Sequence, residues 1–298
     1  MKNKTKTAAL CFFGQARVLD ICYPYIKKHI LDPIGKNRKD YDIFCCVEDD
    51  EDVHKVNLLK PTKILKIKSK DVEKILKKEV DFLNKYNYRK FICGIVGKHN
   101  PFMNMFQQTY KKKLCYNLLE NYLTKNNLKY KYLIRTRFDL LPIEKLDLRK
   151  IKINSGELFA PKNDDVGSHN GIDDCFCITS DIDTFRVYCK VIDNIKNLAF
   201  KYHSISFSLP QKVYFFLEKK YKNLLVILFK ENKYFTTLFQ LFTMIPNGLF
   251  YKSMRKKVIC DHQLLLEHLN DNGKKIKTTK IHFAIMRNDH TGILGIDR

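Results

Sequence analysis

Residues 7–14 read TAALCFFG, a short apolar run that ends at a glycine. Such a run is typical of a buried β-strand. Residues 41–47 (YDIFCCV) have the same character and lead into an acidic cluster, EDDED, at 48–52. Residues 130–134 (YKYLI) predict another buried strand that leads into RTRFD at 135–139. Because helical patterns separate these strands, the sequence predicts an α/β fold with a mostly parallel central sheet flanked by helices.

The remaining elements follow from the same patterns. The clearest helix spans 103–125, where apolar side chains recur every fourth residue and form one stripe. This stripe comprises Phe106, Tyr110, Leu114, Leu118 and Tyr122. Further helices are predicted at 22–31, 72–86, 183–197, 211–221 and 261–269, and further strands at 63–67, 157–160, 175–178 and 280–285. No internal repeat or break in composition divides the 298 residues, which predicts a single domain over 1–298.

The composition excludes some classes of protein and leaves two explanations for the charge. The chain is 45% hydrophobic, which excludes a disordered protein. It carries 55 Lys and Arg against 32 Asp and Glu, a formal net charge of +23. This excess favours an acidic partner such as nucleic acid, an anionic membrane or a phosphorylated ligand. However, only 10 of the 55 are Arg, and the lysines are scattered, so a solvated lysine surface is the alternative and no specific nucleic-acid site is predicted.

The ten cysteines and the uncharged segment near the C-terminus concern the cellular location. The cysteines lie mostly in apolar runs without a CxxC pair, which predicts reduced, buried thiols in a cytoplasmic protein. The N-terminus lacks the features of a signal peptide. Residues 234–251 carry no charge, and basic residues follow up to 257. Segment 234–257 is therefore interpreted as a buried helix pair or as a peripheral membrane contact.

Two strand ends carry side chains that suit a phosphorylated ligand. Gly14 permits close approach of the backbone, and Arg17 lies within reach of a phosphate. Arg135, Arg137 and Asp139 alternate after the strand at 130–134, and packing alone does not require such charges. The alternatives are an ordinary β-to-α turn at Gly14 and an internal Arg–Asp ion pair. Neither GxGxxG nor a P-loop is present, which excludes dehydrogenases of the Rossmann type and P-loop ATPases.

Other acidic and histidine residues are weaker candidates. Asp173 and Asp174 precede the apolar strand at 175–178, and one of two paired carboxylates is suited to act as a general base. A solvated acidic loop is the alternative. His282 lies near His290, and either is a candidate metal ligand, but a core or surface position is the favoured explanation for each.

The chain resembles a known family along nearly its whole length. The resemblance rests on short motifs in series, namely ALCFFGQAR at 9–17, YDIF at 41–44, Gln107 and Tyr110, YLIRTRFD at 132–139, GIDDCF at 171–176, and Asp261 with His268, Leu269 and Gly273. In this order they are similar to the GT-A-like glycosyltransferases found in surface-polysaccharide gene clusters and in large DNA viruses.

The resemblance implies a GT-A-like single domain that transfers a sugar to a hydroxyl of a glycan or glycoconjugate. The donor would be a nucleotide-diphosphate sugar, by default a UDP-sugar, bound by the half at 1–140, with the acceptor on the half at 141–298. The implied donor-binding residues are Phe13, Gly14, Gln15, Arg17, Gln107, Arg135, Arg137 and Asp139. Asp174, with Asp173, would act on the acceptor side.

One departure concerns the metal. Enzymes of this fold usually carry Asp-x-Asp at the end of a central strand, whereas this chain has Arg137-Phe138-Asp139. The resemblance therefore implies Mn2+ or Mg2+ at Asp139 alone, or Arg137 in place of part of the metal's charge. The two rival functions are a non-catalytic basic module that binds nucleic acid or an anionic membrane, and a nucleotidyltransferase.

Overall fold

The computed structural model describes residues 4–35, 38–84, 101–161, 175–203, 261–279 and 283–286. The strands are β1 (Lys4–Gly14), β2 (Tyr41–Glu48), β3 (Lys63–Ile67), β4 (Leu128–Arg137), β5 (Leu140–Pro142), β6 (Glu157–Pro161), β7 (Cys177–Thr179), β8 (Lys275–Thr279) and β9 (Phe283–Ile285). The α-helices are α1 (Leu19–Ile26), α2 (Asp32–Ile34), α3 (Ser69–Asn84), α4 (Pro101–Asn126), α5 (Ile182–Cys189), α6 (Ile195–His203) and α7 (Asp261–Asp271). A π-helical turn (Lys27–Leu31) joins α1 to α2, and 3₁₀ turns span Val53–Leu59 and Val191–Asn194.

Seven of these strands form one sheet in the order β3-β2-β1-β4-β7-β6-β8. β1 pairs in parallel with β2 and with β4, β2 pairs in parallel with β3, and β6 pairs in parallel with β8. Only β7 runs antiparallel to its neighbours, β4 and β6. The predicted fold class, a mostly parallel sheet flanked by helices, is confirmed. β5 and β9 form a separate antiparallel pair beside it.

The core lies on both faces of the sheet because its central strands are apolar on both sides. Cys45 and Cys46 on β2 show the alternation, since Cys45 packs with α1 on one face and Cys46 packs with α3 and α4 on the other. All eight cysteines of the described ranges are free thiols and are buried. Burial raises the pKa of the Cys45 and Cys46 thiols well above the ordinary value. The prediction of reduced, buried thiols is thus confirmed for these eight.

The long helix α4 turns a different face to the core than the spacing predicts. Apart from Phe106, the predicted stripe packs only partly buried against the core. The deeply buried positions lie beside that stripe, at Lys112, Cys115, Tyr116 and Leu119. The helix contacts α3 on one flank and α5 on the other, so its central face is the one that is covered. Lys111 and Lys112, which the sequence pattern assigns to solvent, are therefore buried in this helix.

Other boundaries also differ from the prediction. β4 continues to Arg137, so the two arginines of RTRFD lie within the strand and not after it. The predicted helix at 183–197 ends at Cys189, and a 3₁₀ turn precedes α6. Of the strand predicted at 280–285, the described residues form β9 (Phe283–Ile285), and the polar strand β8 was not predicted.

Some predicted segments lie outside the described residues. They are the helix at 211–221 and the segment at 234–257, so membrane contact through 234–257 stays a prediction. Within the ranges given above, no helix combines the length and the apolar character needed to cross a membrane.

Candidate functional site

The carboxyl ends of the four parallel strands β3, β2, β1 and β4 meet at one edge of the sheet. The strand register pairs Gly14 with Val47, and Phe13 with Arg137. Glu48, the last residue of β2, pairs with Ile67 at the end of β3. In open α/β sheets, ligands bind outside such carboxyl ends. Three loops with polar residues therefore converge at the edge where open α/β sheets generally bind ligands.

The turn after β1 combines an open backbone with two polar side chains. Gly14 has a φ of 120°, a conformation that favours glycine. A Cβ built on Gly14 meets no atom of the described residues within 4 Å, so the space beside this backbone is open. Gln15 is half-buried and hydrogen-bonds Glu48, while Arg17 is exposed. The turn therefore offers an accessible backbone and a surface guanidinium at the strand ends.

Arg137 and Asp139 form a bidentate ion pair at the end of β4. Arg137 Nε donates to one carboxylate oxygen of Asp139 at 2.7 Å, and a terminal nitrogen donates to the other at 2.6 Å. The two side chains are 24% and 21% exposed, so the pair lies at the surface of this edge. The internal Arg–Asp pair that the sequence left as an alternative is present, and it occupies both oxygens of Asp139.

Arg135 lies below this pair in the core. Its side chain is fully buried, and the guanidinium carbon lies 4.4 Å from the centroid of the Phe13 ring. This distance is typical of a cation–π contact. Phe13 itself is 4% exposed. The structure thus places Arg135 and Phe13 under the edge, where their side chains pack between β1 and β4. A contact of either residue with the donor stays a prediction.

Glu48 joins three elements at the end of β2. Lys111 on α4 donates to its carboxylate at 2.8 Å, and the hydroxyl of Ser69, at the start of α3, donates to its other oxygen. Gln15 also hydrogen-bonds this carboxylate. Although burial alone would raise the pKa of Glu48, the hydrogen bonds from Lys111 and Ser69 lower it below the ordinary value. The carboxylate is therefore ionised at neutral pH and fixes the turn after β1 against α3 and α4.

The acidic loop after β2 holds further charges. Burial raises the pKa of Asp50, and the neighbouring carboxylates of Glu48 and Asp52 add to this effect, while Arg17 opposes it. Lys55 lies 2.9 Å from Asp52 and donates to the backbone oxygen of Arg17 at 2.5 Å. The loop is thus tied to the turn that carries Arg17.

The other predicted site residues are either elsewhere or outside the described part. Gln107 lies on α4, one turn before Lys111, where its amide donates to Glu73 on α3 at 3.0 Å. It is near the correct edge, and this hydrogen bond holds it against α3. Asp173, Asp174 and His282 lie outside the described residues, so the general base and the histidine ligand stay predictions.

A divalent cation fits the observed residues poorly. Cations such as Mg2+ and Mn2+ need free carboxylate oxygens. Both oxygens of Asp139 accept hydrogen bonds from Arg137, and a second arginine, Arg135, lies beneath. Among the described residues, no three His, Cys, Asp or Glu side chains cluster as metal ligands. Metal binding by Asp139 stays a prediction, and it would require Arg137 to leave this carboxylate.

Sequence reasoning missed the part of the site built around Glu48. Lys111 sits in the run Lys111-Lys112-Lys113, which is indistinguishable in sequence from a solvated surface. Its partner Glu48 is 63 residues away in the chain. Only the position of Glu48 at the end of a predicted buried strand signalled that a partner would be needed.

Comparisons with known proteins give a family and a number of distant structural likenesses. The solved structure of the apo-form glycosyltransferase GlyE of Streptococcus pneumoniae TIGR4 is 12% identical with a TM-score of 0.34, and the match covers 94% of this chain and 66% of that one, slightly under two thirds. Apo mouse xyloside xylosyltransferase 1 is 10% identical with a TM-score of 0.38, over 67% of this chain and 76% of that one. No curated protein matches the sequence. A family model described as a domain of unknown function, DUF7796, matches residues 3–203, which include β1 to α6 and the strand ends of the candidate site. On this match over more than half of its length, the chain belongs to the DUF7796 family.

Proposed function

We propose that the chain is a glycosyltransferase that moves a sugar from a nucleotide-diphosphate donor, by default a UDP-sugar, to a hydroxyl of a glycan or glycoconjugate. The observation that carries this proposal is the convergence of Gly14, Gln15, Arg17 and Arg137 at the carboxyl ends of adjacent parallel strands. An exposed backbone, an amide and two guanidinium groups suit a ligand with phosphates. The sugar is proposed as the transferred group because the series of sequence motifs resembles that of glycosyltransferases.

In the proposed reaction, the bond between the anomeric carbon and the diphosphate oxygen breaks. A bond from the acceptor oxygen to the same carbon forms, and the nucleoside diphosphate leaves with both electrons of the broken bond. The acceptor proton passes to a base, for which we propose Asp174 with Asp173 beside it. Arg17 and Arg137 would stabilise the charge that develops on the leaving diphosphate.

The first test is binding of UDP, GDP, CDP and dTDP to the full chain, measured as the shift of the thermal unfolding midpoint. A ligand at about a hundred times its Kd adds roughly 2.7 kcal/mol of stability, which moves the midpoint by a few degrees. We expect one nucleotide to give the largest shift and Arg17→Ala to reduce it. Arg149→Ala is the matched control, because Arg149 is 92% exposed and pairs with Asp147 away from the strand ends.

The second test follows the products of turnover from nucleotide sugars. Sugar transfer releases the nucleoside diphosphate, whereas a nucleotidyltransferase releases pyrophosphate. Asp174→Asn should abolish transfer and leave the nucleotide shift unchanged. Failure of all four nucleotides to shift the midpoint, together with salt-sensitive binding to any polyanion, would favour the basic binding module instead.

A further inference from the structure

The ion pair of Arg137 and Asp139 bears on how the diphosphate of the donor is held. We infer that the site binds this diphosphate without a divalent cation, and that Arg137 exchanges the carboxylate of Asp139 for the phosphate oxygens. The inference rests on the proposed function, since it assumes a diphosphate ligand at this edge. It deepens that function by naming the group that neutralises the ligand.

The charge at the end of β4 favours an anion. Two of the three ionisable side chains at positions 135, 137 and 139 are arginines, and Arg137 is paired with the carboxylate of Asp139. A site with two carboxylates at positions 137 and 139 would carry negative charge and attract a cation. In this chain the first carboxylate is replaced by an arginine that also occupies the second. The same strand end is thus prepared for phosphate oxygens and not for a metal ion.

The geometry of the pair allows the exchange. Arg137 already presents two parallel N–H groups, at 2.7 and 2.6 Å from the two oxygens of Asp139. Phosphate accepts the same fork from a guanidinium, so the incoming ligand can replace the carboxylate with matching hydrogen bonds. Both side chains are about one fifth to one quarter exposed, so solvent and ligand reach the pair. The pair is part-buried and bidentate, so the hydrogen bonds to the phosphate oxygens have to replace those to Asp139 for the exchange to be favourable.

Arg135 would support the exchange from beneath. Its guanidinium is fully buried against Phe13, two residues before Arg137 on the same strand and the same face of the sheet. A buried positive charge acts on its surroundings with little screening. In the proposed complex, this guanidinium would add to the attraction of the strand end for the phosphate oxygens.

The test is isothermal titration of the full chain with UDP, GDP, CDP and dTDP, once in EDTA and once in Mn2+. For the nucleotide that binds, we expect the Kd in EDTA to be within about threefold of that in Mn2+. Arg137→Gln should weaken binding by at least about tenfold in both conditions, because the bidentate contact is lost. Arg137→Lys keeps the charge without the fork and should give an intermediate loss. The nucleoside alone should bind all these variants equally.

Asp139→Asn separates the two possible roles of this carboxylate. If Asp139 only competes with the ligand for Arg137, the variant should bind the nucleotide as well as the original chain or about two- to fivefold more tightly. If Asp139 holds a metal, the variant should lose the gain in affinity from Mn2+. Asp147→Asn is the matched control, since Asp147 forms the same kind of pair with Arg149, at 3.0 and 3.3 Å, on another loop.

The outcomes distinguish the inference from the function on which it rests. Binding that needs Mn2+ and disappears in Asp139→Asn would overturn the inference and leave the proposed function intact. Binding in EDTA that is unaffected by both Arg137 variants, with their unfolding midpoints unchanged, would also overturn it. Absence of binding by all four nucleotides in both conditions would overturn the proposed function itself and the inference with it.

Discussion

Replacing Lys111 by methionine removes one half of the ion pair that joins α4 to the end of β2. The side chains of Lys111 and Glu48 are 5% and 13% exposed, and their charged atoms lie 2.8 Å apart. Removing one partner of a buried pair leaves the other charge without compensation and costs about 3–5 kcal/mol. Because Ser69 and Gln15 still hydrogen-bond Glu48, we expect the lower end of this range for Lys111→Met. Methionine keeps the length of the buried side chain, so the change tests the charge and not the packing.

The assay is urea unfolding followed by far-UV circular dichroism, since the chain has no Trp to serve as a fluorescent probe. Lys113→Met is the matched control on the same helix. Lys113 pairs with Asp193 at 2.6 Å, but the two side chains are 28% and 49% exposed. An exposed pair contributes about 0.2–1 kcal/mol, so the control should lose at most this amount of stability.

A double variant and a change of pH identify the source of the loss. Glu48→Gln removes the stranded charge, so Lys111→Met combined with it should cost less than the sum of the two single changes. In the original chain the folded-state pKa of Glu48 is lowered, so its contribution is fully present above the unfolded pKa of about 4.3. It is lost as the pH falls through the folded pKa. In Lys111→Met, protonation neutralises the stranded carboxylate, so the difference from the original chain should shrink on acidification from about pH 7 to about pH 4.

Two outcomes would contradict a stabilising ion pair between Lys111 and Glu48. A loss no larger than that of Lys113→Met would mean that the Lys111 charge contributes little to the folded state. Strict additivity of the two changes at Lys111 and Glu48 would mean that the two residues do not act on each other.

Three further changes test other parts of the fold. Asp42→Asn should lower the free energy of unfolding by about 1.5–3 kcal/mol, because this buried carboxylate accepts a hydrogen bond from Tyr130 at 2.6 Å. Although burial raises the pKa of Asp42, hydrogen bonds lower it below the ordinary value, so in urea titrations this loss should shrink as the pH falls through the folded-state pKa. Gly14→Ala should lower the free energy of unfolding by about 1–3 kcal/mol in the same titration because of the φ of 120°, and it should also weaken nucleotide binding. The control Gly273→Ala, at a φ of 66°, should be destabilised without a change in nucleotide binding. Asp181→Ala removes the cap of α5, where the carboxylate accepts from two backbone N–H groups, and should lower stability by about 0.5–2 kcal/mol, an outcome contradicted by an unchanged urea midpoint.

The strands that could be predicted are those whose burial is evident from the apolar character of their own residues. β1 and β2 are buried on both faces and appear as apolar runs. β8 reads Lys-Ile-Lys-Thr-Thr and lies at the edge of the sheet, so it lacks such a run and was missed. β4 was predicted too short, because Arg135 is a charge in sequence and a buried cation–π partner in the fold.

The site divides in the same way. The positions of Gly14, Gln15 and Arg17 follow from parallel pairing, which brings the carboxyl ends of neighbouring strands to one edge. The pairing of Lys111 with Glu48 depends on how α4 is rotated over the sheet, which the periodicity of its apolar residues predicted incorrectly. The ion pair of Arg137 and Asp139 was predicted only as an alternative, because the sequence RTRFD fits a ligand site as well as an internal ion pair.

The two adjacent cysteines of β2 give each layer of the protein its own chemical reporter. Cys45 is covered by the α1 layer and Cys46 by the layer of α3 and α4, and neither is accessible in the folded chain. A thiol reagent therefore modifies either one only when the layer above it opens. With the other cysteines replaced by alanine or serine where the chain tolerates it, the ratio of the two labelling rates would show which layer separates from the sheet first. One dipeptide thus records the order in which the two halves of the core come apart.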